Sequence, residues 1–153
     1  MGGTMKTLKI LSIVLISALL FSATTFAGQE IDPVVKAKFK IIEANLLVGL
    51  KSDNEGLRIS CAYFLGEMKS EKSVIELMQI LRDDESYAAR IVAALSLIKI
   101  GNTQAVYMVQ RTSLFNEFEG VRKMSEKFYL SHLMKKYLEQ HPEKVAELSY
   151  VKF

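Results

Sequence analysis

One cysteine, two histidines and an evenly spaced row of arginines are the residues of this chain whose types invite chemistry. Cys61 would serve as a nucleophile only beside an oriented base, and no such arrangement is visible. It stands where Ala93 and Ser125 stand at a spacing of 32, so it reads as a small packing residue. His132 and His141 lie nine apart across an expected helix end, with no cysteine or clustered carboxylate at ligand spacing. They read as a helix-surface residue and a cap before Pro142. Asp83-Asp84-Glu85 lacks the alternating ligands and the glycine of a calcium loop and reads as a solvated turn. There is no glycine-rich phosphate loop and no serine elbow. Phe115, Phe118, Phe128, Tyr129 and Tyr137 recur at helical spacing, which points to core rather than a base-stacking platform. No catalytic residue, metal or cofactor is therefore expected.

The arginines are different, because they are periodic. Arg58, Arg90 and Arg122 are 32 apart, and their surroundings shift with them. An apolar residue precedes each: Leu57, Ala89, Val121. Five before each is an acid: Asp53, Glu85, Glu117. Six before is a short polar residue: Ser52, Asp84, Asn116. Three after is small (Cys61, Ala93, Ser125) and seven after is large (Leu65, Leu97, Tyr129). Val74 aligns with Val106 and Leu77 with Val109. Short polar residues belong at turns and helix N-caps. Acids belong in a first turn, facing the positive end of the helix dipole. Small residues let a neighbouring helix approach, and the large one fills the shared core.

The elements that must position this row are helices. Asp32-Pro33 starts the first, and Val35, Phe39, Ile42, Leu46 and Leu50 form one apolar face along it. Further helices are predicted at about 56–69, 71–82, 87–100, 103–114 and 118–139, with a short one from Pro142. The third should bury Val74, Leu77, Met78 and Leu81. The helix at 87–100 is apolar nearly all round and should be central, with Gly101-Asn102 stopping it. No strand is expected.

Residues 1–27 read as a secretory signal peptide: Lys6 and Lys9, the apolar run Ile10–Phe21, then Thr25-Phe26-Ala27 before a cut at Ala27/Gly28. The run is short for a bilayer span, which needs about 20 residues, so an uncleaved anchor is the lesser reading. The mature part, 28–153, is expected to be one domain, exported to the periplasm or the outside. The whole chain carries 20 basic and 17 acidic residues; removing Lys6 and Lys9 leaves 18 against 17. A nearly neutral chain gives little support for nucleic-acid binding, and a membrane contact is expected only through a retained leader. A single cysteine leaves the fold to stand on its apolar core.

Residues 84–101, DESYAARIVAALSLIKIG, and 53–66, DNEGLRISCAYFLG, resemble HEAT-type repeats, in particular the short HEAT-like version found in phycobilin lyases and many bacterial proteins. The resemblance covers about 39–138 and implies an all-α fold, a short α-solenoid of about three antiparallel helix pairs. The third unit departs from the pattern at Glu126, where Ala62 and Ala94 stand, as a polar capping unit would. By the same resemblance, the arginines pair with the acidic turns of neighbouring units, and the second helices line a concave face. Arg58, Tyr63, Glu67, Arg90, Lys99, Arg122, Lys123 and Lys127 are the candidate interaction residues. The expectation is a non-enzymatic adaptor or scaffold for a protein partner. The alternatives are an enzyme-associated or ligand-binding helper like the lyase-type proteins, favoured by a deep pocket, and a subunit that docks through an exposed apolar patch at one end.

Overall fold

The computed structural model describes residues 32–149, with side chains to 145. The leader and its cleavage position at Ala27 and Gly28 lie outside the described residues. By internal packing the chain divides at residue 38. Of the first unit, residues 32–38 are described and form the opening turns of a helix; the second unit holds the rest.

The described residues form seven α-helices and no strand. They are α1 (Pro33–Gly49), α2 (Glu55–Glu67), α3 (Val74–Asp83, entered through a 3-10 turn at Glu71–Ser73), α4 (Tyr87–Ile100), α5 (Thr103–Phe115), α6 (Glu119–Gln140) and α7 (Pro142–Ser149). None is long and apolar enough to cross a membrane. Asp32 opens α1 as expected: its carboxylate accepts the Val34 N–H at 2.8 Å, and Pro33 occupies the first helical position.

α4 is the centre. It packs against α2 on one side and α6 on the other, with α3 and α5 also against it; α5 lies along α6. Leu65, Leu77, Leu81, Leu97, Val109 and Val121 are fully buried in the shared core, each contributing roughly 1.5–3 kcal/mol by leaving water. The small residues do what their position suggested. Ser96 Oγ donates to the Ala62 carbonyl at 2.7 Å, and a Cβ on Gly66 would come within 2.7 Å of the Ser96 backbone. α2 and α4 therefore meet nearly backbone to backbone, and Cys61, Ala93 and Ser125 are all buried in that seam or its continuation. Burial raises the Cys61 thiol above its ordinary value, which keeps it protonated and inert.

Three sequence expectations change. The first half of the apolar face of α1 is not buried: Val35, Phe39 and Ile42 are exposed, Leu46 and Leu47 pack half-buried against the core, and Leu50 just beyond the helix end is buried in it. α1 is also tied down by Glu43, whose carboxylate accepts from Ser70 Oγ at 2.6 Å and Lys72 Nζ at 2.7 Å. Phe115 and Tyr137 are exposed, whereas Phe118, Phe128 and Tyr129 pack on the core. The second half of α6 is not a polar cap. Leu130, Leu133, Met134 and Tyr137 recur at steps of three and four and stay exposed.

Candidate functional site

The arginine row is built from three turns with one hydrogen-bond plan. Ser52 Oγ, Asp84 Oδ1 and Asn116 Oδ1 each accept the backbone N–H two residues on, at 3.1, 2.9 and 3.0 Å. These residues shape the turns but do not cap the helices. The N-caps fall two positions later: Asn54 and Ser86 accept from Leu57 N–H and Ala89 N–H, and Phe118 holds the third position without a side-chain bond. Asp53, Glu85 and Glu117 thus precede their helices and sit in the turns, outside the first helical turn.

Each arginine then reaches back six residues to a carbonyl. Arg58 Nη1 donates to Ser52 O at 2.9 Å, Arg90 Nε to Asp84 O at 2.5 Å, and Arg122 Nη1 to Asn116 O at 3.0 Å. Arg58 also grips Asp84 in the next turn with two parallel bonds, of 2.8 and 2.9 Å. Both side chains are largely withdrawn from water. Burial pushes the Asp84 carboxyl up, but the Arg58 bonds, the Ser86 N–H and the charges of Arg58 and Arg90 outweigh it and hold the carboxyl below its ordinary value. Bonding to Asp84 raises Arg58 in turn. The next rung has no acid, because Asn116 stands where Asp84 stood. Arg90 lies instead over the Phe118 ring, 4.7 Å from its centroid, and Tyr87 packs on the same ring at 4.6 Å. Each arginine of this row bonds its own turn, and Arg58 also bonds the next one. The surface over them is an acidic groove of about 860 Å³ lined by Asp53, Glu55, Asp83, Asp84 and Glu85, with Arg58 beneath.

The opposite ends of α2 and α4 are built differently. With 13 and 14 residues these helices are about 20 Å long, which sets the distance between the two edges. Here Lys99, in the last turn of α4, pairs with Glu67 and lies 4.6 Å above the Tyr63 ring. The Lys99 bond, with a second from Tyr63, holds the Glu67 carboxyl below its ordinary value. This corner forms one wall of a cleft of about 510 Å³ whose far wall is α6, with Ser131, His132, Lys135, Lys136 and Glu139. Ile98, Ile100 and Gly101 floor it, and Lys69 closes the near end. Four lysines face two glutamates. Lys99 and Lys135 have carboxylate partners, the latter Glu139 at 3.9 Å, whereas Lys69 and Lys136 have none among the described residues.

The structure thus brings Tyr63, Glu67 and Lys99 together, and keeps Arg58, Arg90 and Arg122 apart from them as turn-binding residues. Lys123 and Lys127 lie exposed on the first half of α6; Lys123 pairs with Glu119 at 2.6 Å, and neither lines the cleft. His132 is a half-buried cleft residue rather than a plain surface one. His141 caps α6 as expected, its N–H donating to Tyr137 O at 3.0 Å and its ring tilted against that of Tyr137, 4.4 Å between centroids. Sequence reasoning missed Lys69, Lys135 and Lys136. The Lys135-Lys136 pair was visible, but nothing in one dimension places it opposite Lys69. Among the described residues no three His, Cys, Asp or Glu side chains converge as a metal site would need. No protein-family model matches the chain, and no curated protein matches it.

Proposed function

We propose that this protein is an exported, non-enzymatic adaptor, a short α-solenoid of HEAT-like helix pairs that holds a protein partner against the cleft edge of α2, α4 and α6. The observation that carries the reading is the open cleft lined by Lys69 and Lys136, neither with a carboxylate partner among the described residues, whose Lys99–Glu67 corner abuts Tyr63, an exposed aromatic on α2. The side-by-side contacts of α2, α4 and α6 support the solenoid, as do three turns with one bonding plan 32 residues apart. Export rests on the composition of residues 1–27.

The test is in-cell crosslinking from a photoreactive residue at Tyr63, compared with the same residue at Tyr107, which is exposed on α5 away from the cleft. A defined adduct from position 63 and none from 107 supports the adaptor. Equal or absent adducts at both positions sink it.

One observation favours a second reading, a subunit that docks by its C-terminal end. Leu130, Leu133, Met134 and Tyr137 make an apolar stripe left exposed on the second half of α6. Sedimentation of Leu133→Glu beside the parent protein distinguishes it, since an assembly held by the stripe would dissociate in the variant.

A further inference from the structure

Lys69 occupies a backbone position that favours glycine. It follows α2 in the left-handed region at φ 51°, the one such non-glycine residue among those described. Its N–H donates to Gly66 O at 3.1 Å, and Ser70 N–H donates to Leu65 O at 3.0 Å, the paired bonds of a Schellman cap. A Cβ in that conformation crowds the carbonyl that follows, so a lysine there is held at a cost in stability. Thirty-two residues on, Gly101 makes the corresponding turn after α4 at φ 76°. Both residues line the same cleft. Two left-handed helix ends one period apart therefore differ in residue type at the cleft, and the less comfortable choice supplies a cation without a carboxylate partner among the described residues.

Across the cleft, Lys136 on α6 is the second unpaired cation, with His132 one helical turn away. Glu67 and Glu139 also line the walls, so a densely charged polyanion would meet repulsion there. Ile98 and Ile100 offer apolar floor between the lysines, and Tyr63 stands at the Lys99 corner. Two separated ammonium groups around apolar surface fit carboxylates flanking an apolar side chain. The volume, about 510 Å³, suits a short stretch of peptide rather than a folded surface.

We infer that the cleft is the docking site for an acidic segment of the partner, with Lys69 and Lys136 receiving its carboxylates. The inference rests on the adaptor reading and names the chemistry of what it binds. The cations on the cleft attract and orient the segment, and the ion pair Lys99–Glu67 ties α4 to α2 along one wall.

The test is fluorescence anisotropy with the full purified protein and a short labelled peptide of glutamate, leucine and glycine, beside the same peptide with glutamine for glutamate. Tripolyphosphate serves as competitor. Binding of the glutamate peptide alone, weakened about tenfold by Lys69→Gly with Lys136→Gln, is the expected result. Lys123→Gln removes one positive charge from α6 outside the cleft, as Lys136→Gln does within it, and should leave the affinity unchanged. Lys69→Gly relieves the left-handed backbone, so a thermal melt will show it folded, and any loss of binding belongs to the charge. Equal loss from Lys123→Gln, equal binding of the glutamine peptide, no binding at all, or tripolyphosphate binding more tightly than the peptide would each overturn the inference. A Tyr63 adduct that survives Lys69→Gly with Lys136→Gln leaves the adaptor standing and removes only the acidic segment.

Discussion

The two edges of α2 and α4 carry opposite charge and opposite degrees of satisfaction. At the turn edge, arginines bond carbonyls six residues back, and Arg58 and Asp84 close on each other. At the cleft edge, two of four lysines have no carboxylate partner among the described residues, and one sits on a strained backbone. Charged groups of the first kind hold helices in register, and removing one leaves its partner buried and alone. Groups of the second kind contribute little to stability and remain available to something outside. A conspicuous periodic charge is thus a poor guide to a binding site, because stacking requires it; the departure from period is the better guide.

The comparison breaks most sharply at Asp84. Asp84→Ala should cost about 3 kcal/mol, since it strands the Arg58 guanidinium and opens the turn to Ser86. Urea denaturation measures it, and a loss below about 1 kcal/mol would mean the turn edge is not saturated after all. The same carboxyl gives the pH dependence. Its folded value is depressed, so its contribution is present above the unfolded value, about 4, and is lost as pH falls through the folded one. Melting temperature should drop below about pH 4, and Asp84→Asn should flatten that slope.

Phe118→Ala tests the substitute rung. It removes the ring under Arg90 and beside Tyr87 and should cost about 1.5 kcal/mol, less than Asp84→Ala because no charge is stranded opposite another. Two changes should stabilise. Ser125 Oγ is buried without a hydrogen-bond partner, and Ser125→Ala should gain about 1 kcal/mol, matching Ala93 one period earlier. Lys69→Gly should gain about 0.5–1 kcal/mol, the left-handed strain offset in part by the freer unfolded chain. Calorimetry on each variant decides the sign. The smallest effect is at Lys136, where Lys136→Gln should change stability by less than about 0.5 kcal/mol.

Local patterns were legible where one face of a helix met one set of neighbours. The all-round apolar run of α4 announced its central place, Asp32-Pro33 its helix start, Gly101 a helix end, and the small residues Cys61, Ala93 and Ser125 a close seam. The position of the caps was not legible to within two residues. Ser52, Asp84 and Asn116 have the same chemistry whether they cap a helix or shape the turn before it, and only the backbone path chooses. α1 misled for a related reason: periodic Val35, Phe39 and Ile42 say that a face is apolar, not that another element covers it. The stripe Leu130, Leu133, Met134 and Tyr137 repeats that lesson at the other end.

By itself the sequence determined the helical character of the described residues and the periodic arginines, because these depend on residue type at short range. Only the tertiary structure decided what the arginines are for and where the free charge lies. Lys69 and Lys136 are far apart in the chain and come to one cleft because α2, α4 and α6 pack side by side. That packing depends on backbone-to-backbone contact at Gly66 and Ser96, a long-range fit that no local pattern encodes.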